Sequence, residues 1–560
     1  MEKASIEPKA SDKYELAEAE RTKYVNDILD SKADKKVVVA GPGTGKTFLF
    51  KKILNGKTKT LTLSFVNSLV DDLSLELYGI SEVRTLHSFG RSELSKVLKK
   101  EVNIYSKLSL IIRQDFKILA NSDIDFDVLF HEKKDDDANL VFYETRRHYY
   151  DYYGFTDVIY AAVKIFEANK NNVPSYQQIL IDEFQDFNKL EVSMIDLLAE
   201  KSPILLAGDD DQALYEFLKN ASAYHIRLRH GNETPDYVAF NLPFCSRCPE
   251  VIVEATNDLI KTSKEKGLLK ERISKPYIYF PNKDKDRISS QFPTISYANK
   301  YSKQVPWFIE KCIGETAKAI KNRFDVLIIT SNNNQVRAIA KALTEKGFRN
   351  LDFPEKRKDR EINFLDAFDM LIENKEDNLG WRIIASLLLS PDELDTLIKT
   401  SSENLTKKLI ELLPADFTKG VLKTAKAIKY ILNEKAVNPE LLAATFEQFG
   451  INPDKISSDY LCEEFYALNP PSGKPALRNI PIKITTIQSS KGLAADVVFI
   501  ANFDDRYFLK DGSTITDQDI CNFLVALTRT KKKAFLISTI PKKAPSLLKW
   551  INRNKIEVIR

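Results

Sequence analysis

A glycine-rich segment near the amino end of the chain combines the residue types that bind a polyphosphate. The segment reads AGPGTGKTFLF over residues 40–50 and directly follows the apolar run KKVVVA at 35–40. Glycines allow consecutive backbone N–H groups to face phosphate oxygens, and a helix that starts there presents its positive end to them. Lys46 would then reach the β- and γ-phosphates, and Thr47 would ligate Mg²⁺. The predicted phosphate-binding residues are Gly41, Pro42, Gly43, Thr44, Gly45, Lys46 and Thr47.

Two adjacent acids after another apolar run supply the second half of such a site. The run and the acids read QILIDEFQD over residues 178–186. Asp182, at the end of the predicted strand, can hold Mg²⁺ through water, and Glu183 can polarise an attacking water as general base. Taken alone, the same residues could form an acidic turn with solvated carboxylates. Together with the phosphate loop they predict a site for a polyphosphate and Mg²⁺.

Strands and helices must alternate along the chain to place these two segments side by side. Apolar runs predict strands at 35–40, 61–65, 178–182, 203–208, 325–330, 484–487, 496–501 and 533–538. Strands separated by helical stretches are typical of parallel sheets with crossover helices. Residues 91–172 and 356–479 have helical patterns with little strand character. The sequence therefore predicts an α/β fold with two parallel-sheet domains, each interrupted by a mainly helical insertion.

Composition sets only broad limits on partners and location. The 560 residues include 83 Lys and Arg against 79 Asp and Glu, so any nucleic-acid surface must be a local groove. The five cysteines suit a reducing compartment, and the CxxC pair at 245 and 248 has no second close pair to complete a metal site. The amino-terminal residues are charged, and no stretch reaches the roughly 20 apolar residues of a membrane span. We expect a cytoplasmic protein with no membrane partner.

Several further segments resemble the motifs of superfamily 1 helicases of the UvrD/Rep/PcrA type. The most specific are DEFQD, AGDDDQALYEF at 207–217 and VALTRTKK at 525–532. TLHSF, SRCPEVI and TTIQSSKGLAADVVFI follow the family's order at 85–89, 246–252 and 485–500. The resemblance covers residues 16–537 and implies two RecA-like P-loop NTPase domains.

The resemblance also implies how the chain is divided. The first motor domain would comprise residues 1–90 and 173–243, and its helical insertion residues 91–172. The second motor domain would comprise residues 244–355 and 480–560, and its insertion residues 356–479.

The same resemblance assigns roles around the nucleotide. It implies that Gln185 and Gln212 sense the γ-phosphate or position the attacking water. It implies that Arg247 and Arg529 are arginine fingers that reach the γ-phosphate from the second domain. Glu20 stands where the family has an adenine-reading Gln, and Gly492 lies in a nucleotide-binding motif. Ionised Glu20 cannot donate to adenine N7, so base selectivity could be relaxed.

The resemblance places a track for a single strand along aromatic side chains. The implied nucleic-acid-binding residues are Phe65, Asn67, His87, Phe89, Tyr215 and Phe217. Stacking on one base contributes roughly 1–3 kcal/mol. The alternative is that these aromatics are ordinary core residues, and for Phe65 and Phe89 both interpretations stay open.

The sequence thus indicates an ATP-dependent translocase or helicase on single-stranded or tailed DNA, with 3′ to 5′ polarity implied by the resemblance. One alternative is a nucleotide-gated binding subunit that serves a nuclease partner in DNA repair or anti-phage defence. Another is an RNA helicase, because no residue identifies the sugar. Ala494 replaces a Glu that meets the ribose in the family, and Ser68 replaces a Lys. The second insertion lacks a family signature, so the sequence supports translocation more strongly than duplex separation.

Overall fold

A computed structural model of the chain describes two compact units. The sheet unit comprises residues 1–89, 169–356 and 474–560, and the helical unit comprises residues 90–168 and 357–473. The described residues are 10–64, 67–135, 137–214, 221–231, 234, 236–320, 323–354, 362, 364–433, 479–510, 514–540 and 543–560. Within them, only the backbone is described for residues 10–12, 67–69, 364–365 and 428–433.

All strand pairings in the described sheets are parallel. The strands are β1 (Lys35–Ala40), β2 (Thr60–Ser64), β3 (Glu82–Thr85), β4 (Gln178–Ile181), β5 (Ile204–Gly208), β6 (Val238–Leu242), β7 (Phe244–Cys245), β8 (Ile278–Tyr279), β9 (Ile295–Asn299), β10 (Val326–Thr330), β11 (Leu351–Asp352), β12 (Ile482–Thr486), β13 (Ala495–Ala501), β14 (Thr530–Ser538) and β15 (Ile556–Val558). The prediction of an α/β fold with parallel sheets is confirmed.

Helices alternate with these strands and also build the helical unit. The described α-helices are Ala10–Asp30, Lys46–Leu54, Asn67–Glu76, Leu86–Leu98, Leu108–Ala120, Phe126–His131, Asn139–Tyr150, Phe155–Ala168, Lys189–Ala199, Tyr224–His230, Glu250–Glu265, Lys283–Gln291, Val305–Ala319, Asn333–Glu345, Phe364–Glu373, Asn378–Leu388, Pro391–Glu403, Leu409–Leu412, Ala415–Asn433, Asp505–Phe508 and Asp517–Leu527. Among them, none combines the length and apolar character that crossing a bilayer would require.

The first sheet has the strand order β3-β2-β4-β5-β1-β6. β1 ends one residue beyond β5, because Val39 pairs with Gly208, and β4 ends two residues before β5, because Ile181 pairs with Leu206. The carboxyl ends of parallel strands form one edge, where α/β proteins bind ligands. The loops after β1, β4 and β5 therefore emerge together at this edge.

The second sheet has the order β11-β12-β10-β13-β14-β9-β15. Helix Glu250–Glu265 packs Val251, Ala255 and Leu259 into a core shared with strand residues of this sheet. Helix Asp517–Leu527 starts with a capping box and leads directly into β14, so Arg529 lies at the junction of helix and strand. A smaller sheet pairs β7 with β8.

The eight strands predicted from apolar runs are confirmed, with ends shifted by at most three residues. Apolar runs did not predict strands at sheet edges, such as β6, or one inner strand, β9. β6 reads VAFNL and is mostly half-exposed, and β9 includes the polar residues Ser296 and Asn299. Strands covered on both faces give continuous apolar runs, whereas mixed strands do not.

The two segments predicted as insertions lie in one compact unit, the helical unit, and share a buried charge cluster. Asp115 Oδ2 accepts hydrogen bonds from Arg146 Nε at 2.9 Å and from the Tyr150 hydroxyl at 2.5 Å. Asp115 Oδ1 accepts from Arg382 Nε, in the other segment, at 2.8 Å. Burial favours a raised pKa for Asp115, but the guanidinium groups of Arg382 and Arg146 outweigh it and lower the pKa. The assignment of each insertion to its own motor domain stays a prediction.

Replacing Asp115 with Ala should destabilise the helical unit by about 3–5 kcal/mol, because both guanidinium groups would stay buried without their carboxylate. The loss is measured as the change in free energy of unfolding in urea. Glu101→Ala is the matched control, since Glu101 pairs with Arg91 at the surface. Its effect should stay within about 1 kcal/mol. Equal stabilities for the two variants would contradict the role given to Asp115.

Candidate active site

The loop after β1 has the backbone that a phosphate-binding turn requires. Gly43 and Gly45 have φ angles of 73° and 97°, a region that side chains with a Cβ rarely adopt. Thr44 ties the turn together, since its Oγ1 donates to the Gly41 carbonyl at 2.9 Å. Helix Lys46–Leu54 starts immediately afterwards. The N-terminus of this helix therefore lies at the loop and can face an anion.

The phosphate-loop lysine meets both predicted acids. Lys46 Nζ contacts the Glu183 carboxylate and lies 3.4 Å from Asp182 Oδ1. Asp182 Oδ1 is buried and accepts no described hydrogen bond. Burial raises the pKa of Asp182, although the Lys46 charge opposes this. A buried carboxylate oxygen with spare acceptor capacity fits a ligand of Mg²⁺, either directly or through water.

Glu183 combines a strained backbone with a fixed carboxylate. Its φ angle of 55° is left-handed, and Gln185 Nε2 donates to its Oε2 at 2.7 Å. Burial favours a raised pKa for Glu183, but the ammonium groups of Lys46 and Lys491 outweigh it and hold the pKa below its usual range. Such strain is common at functional sites. An ionised, oriented carboxylate at this position can polarise a water molecule.

Gln212, in the turn after β5, links the two sheets. Its Nε2 donates to Asp209 Oδ2 at 2.8 Å, and its Oε1 accepts from Arg529 Nη2 at 2.9 Å. Gln185 Oε1 accepts from the Asp209 N–H at 2.9 Å. Arg529 is only 1% exposed, and burial together with the Arg247 charge lowers its pKa to about 10. The structure therefore brings Gln185, Gln212 and Arg529 into one network.

The turn that carries Arg247 lies directly against the phosphate loop. The Ser246 N–H donates to the Gly43 carbonyl at 2.9 Å. A Cβ added to Gly43 would come within 2.3 Å of Arg247 Cβ. Arg247 itself is half-buried. Both predicted arginine fingers thus lie on segments that contact the first-sheet loops.

Two lysines and a tyrosine near this network belong to no predicted site. Lys491 Nζ contacts the Asp186 carboxylate, approaches Glu183 Oε2 at 3.5 Å and donates to the Gln212 carbonyl at 2.5 Å. Burial raises the pKa of Asp186 to about 7, although the Lys491 charge opposes this.

Lys275 and Tyr277 lie in a segment without a motif, and the Tyr277 hydroxyl donates to the Pro42 carbonyl at 2.9 Å. Lys491 could have been found from its KGL motif. No pattern in the sequence marks the other two.

Three further residues are predicted to bind the nucleotide: Thr47, Gly492 and Glu20. Thr47 lies in the first turn of its helix and is half-buried, and Gly492 has a φ angle of 80°. Glu20 is exposed on helix Ala10–Asp30, whereas its neighbour Arg21 would lie 3.4 Å from a Cβ on Gly45. The roles of Thr47, Glu20 and Gly492 stay predictions.

The predicted nucleic-acid track falls largely outside the described residues. Phe65, Tyr215 and Phe217 lie there, as does the side chain of Asn67. His87 is half-buried, and Phe89 is 1% exposed. Burial of Phe89 favours the core interpretation, and stacking on a base stays a prediction for the track.

The CxxC pair lies under the Arg247 turn. Cys245 Sγ lies 3.1 Å from the Tyr277 hydroxyl oxygen, and Cys248 Sγ donates to the Thr528 carbonyl at 3.4 Å. Both thiols are free and fully buried. The pair therefore packs between the Arg247 turn and the residue that precedes Arg529.

The chain is similar in sequence to several known proteins. Residues 130–229 match the model of the UvrD/REP helicase N-terminal domain. A probable DNA helicase II homolog from Mycoplasma pneumoniae is 23% identical, over 90% of this chain and 81% of that protein. The ATP-dependent DNA helicase Rep from Buchnera aphidicola is 23% identical over 69% of this chain and 58% of its own. The ATP-dependent DNA helicase PcrA from Staphylococcus aureus is 28% identical over 25% of this chain and 20% of its own. The resemblance indicated by the motifs is confirmed.

Gly43→Ala should impair the site, because the added Cβ would collide with the Arg247 turn as well as strain the backbone. Gly56→Ala is the matched control, since Gly56 has a φ angle of 77° and nothing lies within 4 Å of its added Cβ. Both variants carry a left-handed backbone cost of about 1–2 kcal/mol. The melting temperature and ATP affinity of Gly43→Ala should fall below those of Gly56→Ala. Matching values for both measurements would mean that the close approach has no consequence.

Proposed function

Since the chain is similar over most of its length to superfamily 1 helicases of the UvrD/Rep/PcrA type, we propose that it is an ATP-driven DNA helicase. The observation that carries the proposal is a continuous network from Lys46 through Glu183 and Lys491 to Gln212 and Arg529. This network joins loops of the first sheet to segments that flank the second. A nucleotide held there would contact both.

The residues of the network suit hydrolysis of a triphosphate. Lys46 binds the β- and γ-phosphates of ATP, and Glu183 orients and polarises the attacking water. Thr47 and Asp182 would hold Mg²⁺, which neutralises phosphate charge when bound. Lys491 Nζ lies 3.5 Å from Glu183 Oε2 and favours the ionised carboxylate, which orients and polarises this water.

Arg247 and Arg529 would stabilise the charge that develops during hydrolysis. A guanidinium group binds phosphate oxygens with two parallel hydrogen bonds and stays charged even with a pKa near 10. An arginine finger typically contributes about 10³–10⁵ in rate. Since both guanidinium groups lie on segments that flank the second sheet, hydrolysis and the relative position of the sheets become linked.

Movement along DNA follows from this link. Contact between Arg529 and Gln212 would change between nucleotide states, and the two sheets would move relative to each other. We propose 3′ to 5′ movement on single-stranded DNA, with polarity taken from the resemblance. Relatives named as DNA helicases support DNA helicase activity over a nucleotide-gated binding subunit that serves a nuclease.

ATPase activity is the first measurement that checks the proposal. Single-stranded DNA should stimulate turnover strongly. Lys46→Ala should abolish it, and Glu183→Gln should bind ATP without hydrolysing it. Arg247→Ala and Arg529→Ala should each slow turnover by more than about tenfold.

The control for these variants is Arg287→Ala, because Arg287 is an exposed arginine whose only described ion pair is with Asp284 at 3.7 Å. Near-native turnover in any active-site variant would remove the role given to that residue. Slow turnover by the native chain with and without DNA would support the binding-subunit alternative instead.

Strand displacement tests polarity and substrate. We expect ATP-dependent unwinding of a duplex with a 3′ single-stranded DNA tail and little unwinding of one with a 5′ tail. A duplex with an RNA tail should be a poorer substrate. Preference for the 5′ tail would reverse the proposed polarity, and preference for RNA would make the chain an RNA helicase.

A further inference from the structure

The segment that precedes β8 brings a buried lysine to the first sheet. Lys275 follows helix Glu250–Glu265, which packs on the second sheet, and its side chain is 5% exposed. Lys275 Nζ donates to Asp209 Oδ1 at 2.5 Å, contacts the Asp210 carboxylate and lies 3.1 Å from Asp211 Oδ2. The Lys275 ammonium group therefore forms ion pairs with all three consecutive aspartates.

The three aspartates resemble a metal site in residue type and spacing, since one carboxylate oxygen from each lies within 4.8 Å of the others. Each is instead matched to cations of the chain. Arg227 Nε lies 3.2 Å from Asp210 Oδ2, and Arg272 Nε lies 2.7 Å from Asp211 Oδ1. With Lys275, these guanidinium groups balance the three negative charges. The cluster is a protein ion-pair network and needs no metal for charge balance.

Asp209 divides its two oxygens between Lys275 and Gln212. Oδ1 accepts from Lys275, and Oδ2 accepts from Gln212 Nε2 at 2.8 Å. With its amide nitrogen held by Asp209, Gln212 turns its amide oxygen toward Arg529 Nη2 at 2.9 Å. An amide that donates at one end and accepts at the other has one orientation that satisfies both partners.

We propose that Lys275 is a positioning residue that fixes Asp209 and, through it, sets the orientation of Gln212 toward Arg529. This inference rests on the proposed function, because Gln212 and Arg529 act there on ATP. Lys275 and Arg529 lie on segments that flank the second sheet, whereas Asp209 and Gln212 lie in the turn after β5 of the first sheet. The orientation of Gln212 toward Arg529 therefore depends on the contact between this turn and Lys275.

Removing the ammonium group has a specific physical consequence. Asp209 Oδ1 would remain buried without its charged partner, and the Asp209 carboxylate would reorient toward remaining donors. This change frees the Gln212 amide to rotate away from Arg529. Lys46 and Glu183, which bind and orient the substrate, make no contact with Lys275 among the described hydrogen bonds and ion pairs. The defect should therefore fall on kcat and largely spare KM.

The test compares Lys275→Met with Lys275→Arg in DNA-stimulated ATP hydrolysis. We expect Lys275→Met to lower kcat by about tenfold or more while KM changes by less than about threefold. Lys275→Arg should restore much of the rate, because a guanidinium group can still bind Asp209. Arg227→Met is the matched control, since it removes a cation from the same aspartate cluster without touching Asp209. Its kcat should stay close to that of the native chain.

A double-variant cycle separates positioning from general damage. If Lys275 acts through Gln212, Lys275→Met should lower kcat little further in a Gln212→Ala background. Additive losses would overturn the inference. Should Lys275→Met lower the melting temperature, Asp209→Asn probes the same link with the lysine in place, and a native kcat for Asp209→Asn would also overturn it.

Failure of the role given to Lys275 and failure of the proposed function give different results in these assays. A native chain that hydrolyses ATP, together with an equally active Lys275→Met variant, would refute only the role of Lys275. A native chain without ATP hydrolysis under any nucleic-acid condition would refute the proposed function itself.

Discussion

The sheet unit depends on the neutralisation of carboxylates that are buried at the carboxyl edge of the first sheet. The buried acids there are Asp182, Glu183, Asp186, Asp209, Asp210 and Asp211. An unpaired buried charge is costly, so each needs a cation or several hydrogen bonds. Lys46 comes from the phosphate loop itself. Lys491, Lys275 and Arg272 come from segments that flank the second sheet. Charge balance at one edge therefore requires both sheets.

This constraint explains why the proposed chemistry and the contact between the two sheets use the same atoms. Lys491 contacts Asp186 and the Gln212 carbonyl while it approaches Glu183. Buried ion pairs contribute little net stability, but removing one partner leaves a buried unpaired charge and is strongly destabilising. Such pairs therefore favour a small number of defined side-chain arrangements. A site built from such pairs is suited to switching between states when a polyphosphate adds negative charge. In the helical unit, the buried Asp115 carboxylate is neutralised in the same way by Arg146 and Arg382.

The phosphate loop and the Arg247 turn are matched in shape. Gly43 allows the two backbones to approach so closely that an added Cβ would lie 2.3 Å from Arg247 Cβ. The Tyr277 hydroxyl joins the same region by donating to Pro42 while it contacts Cys245 Sγ. Gly43 and hydrogen bonds from Ser246 and Tyr277 therefore hold a predicted arginine finger beside the loop. The buried CxxC pair forms part of this support.

The sequence by itself determined the features that depend on neighbouring residues. β1, β4 and β5 are continuous apolar runs because both of their faces are covered, and the glycines after β1 specify a turn through their own backbone freedom. The motifs also indicated that Gln212 and Arg529 share a site. Only the tertiary structure decided which cations meet the buried acids. Lys275 is 66 residues from Asp209, and Lys491 is 305 residues from Asp186. No local pattern records such pairings, since they arise when packed elements bring distant side chains together and burial forces the charges to find partners.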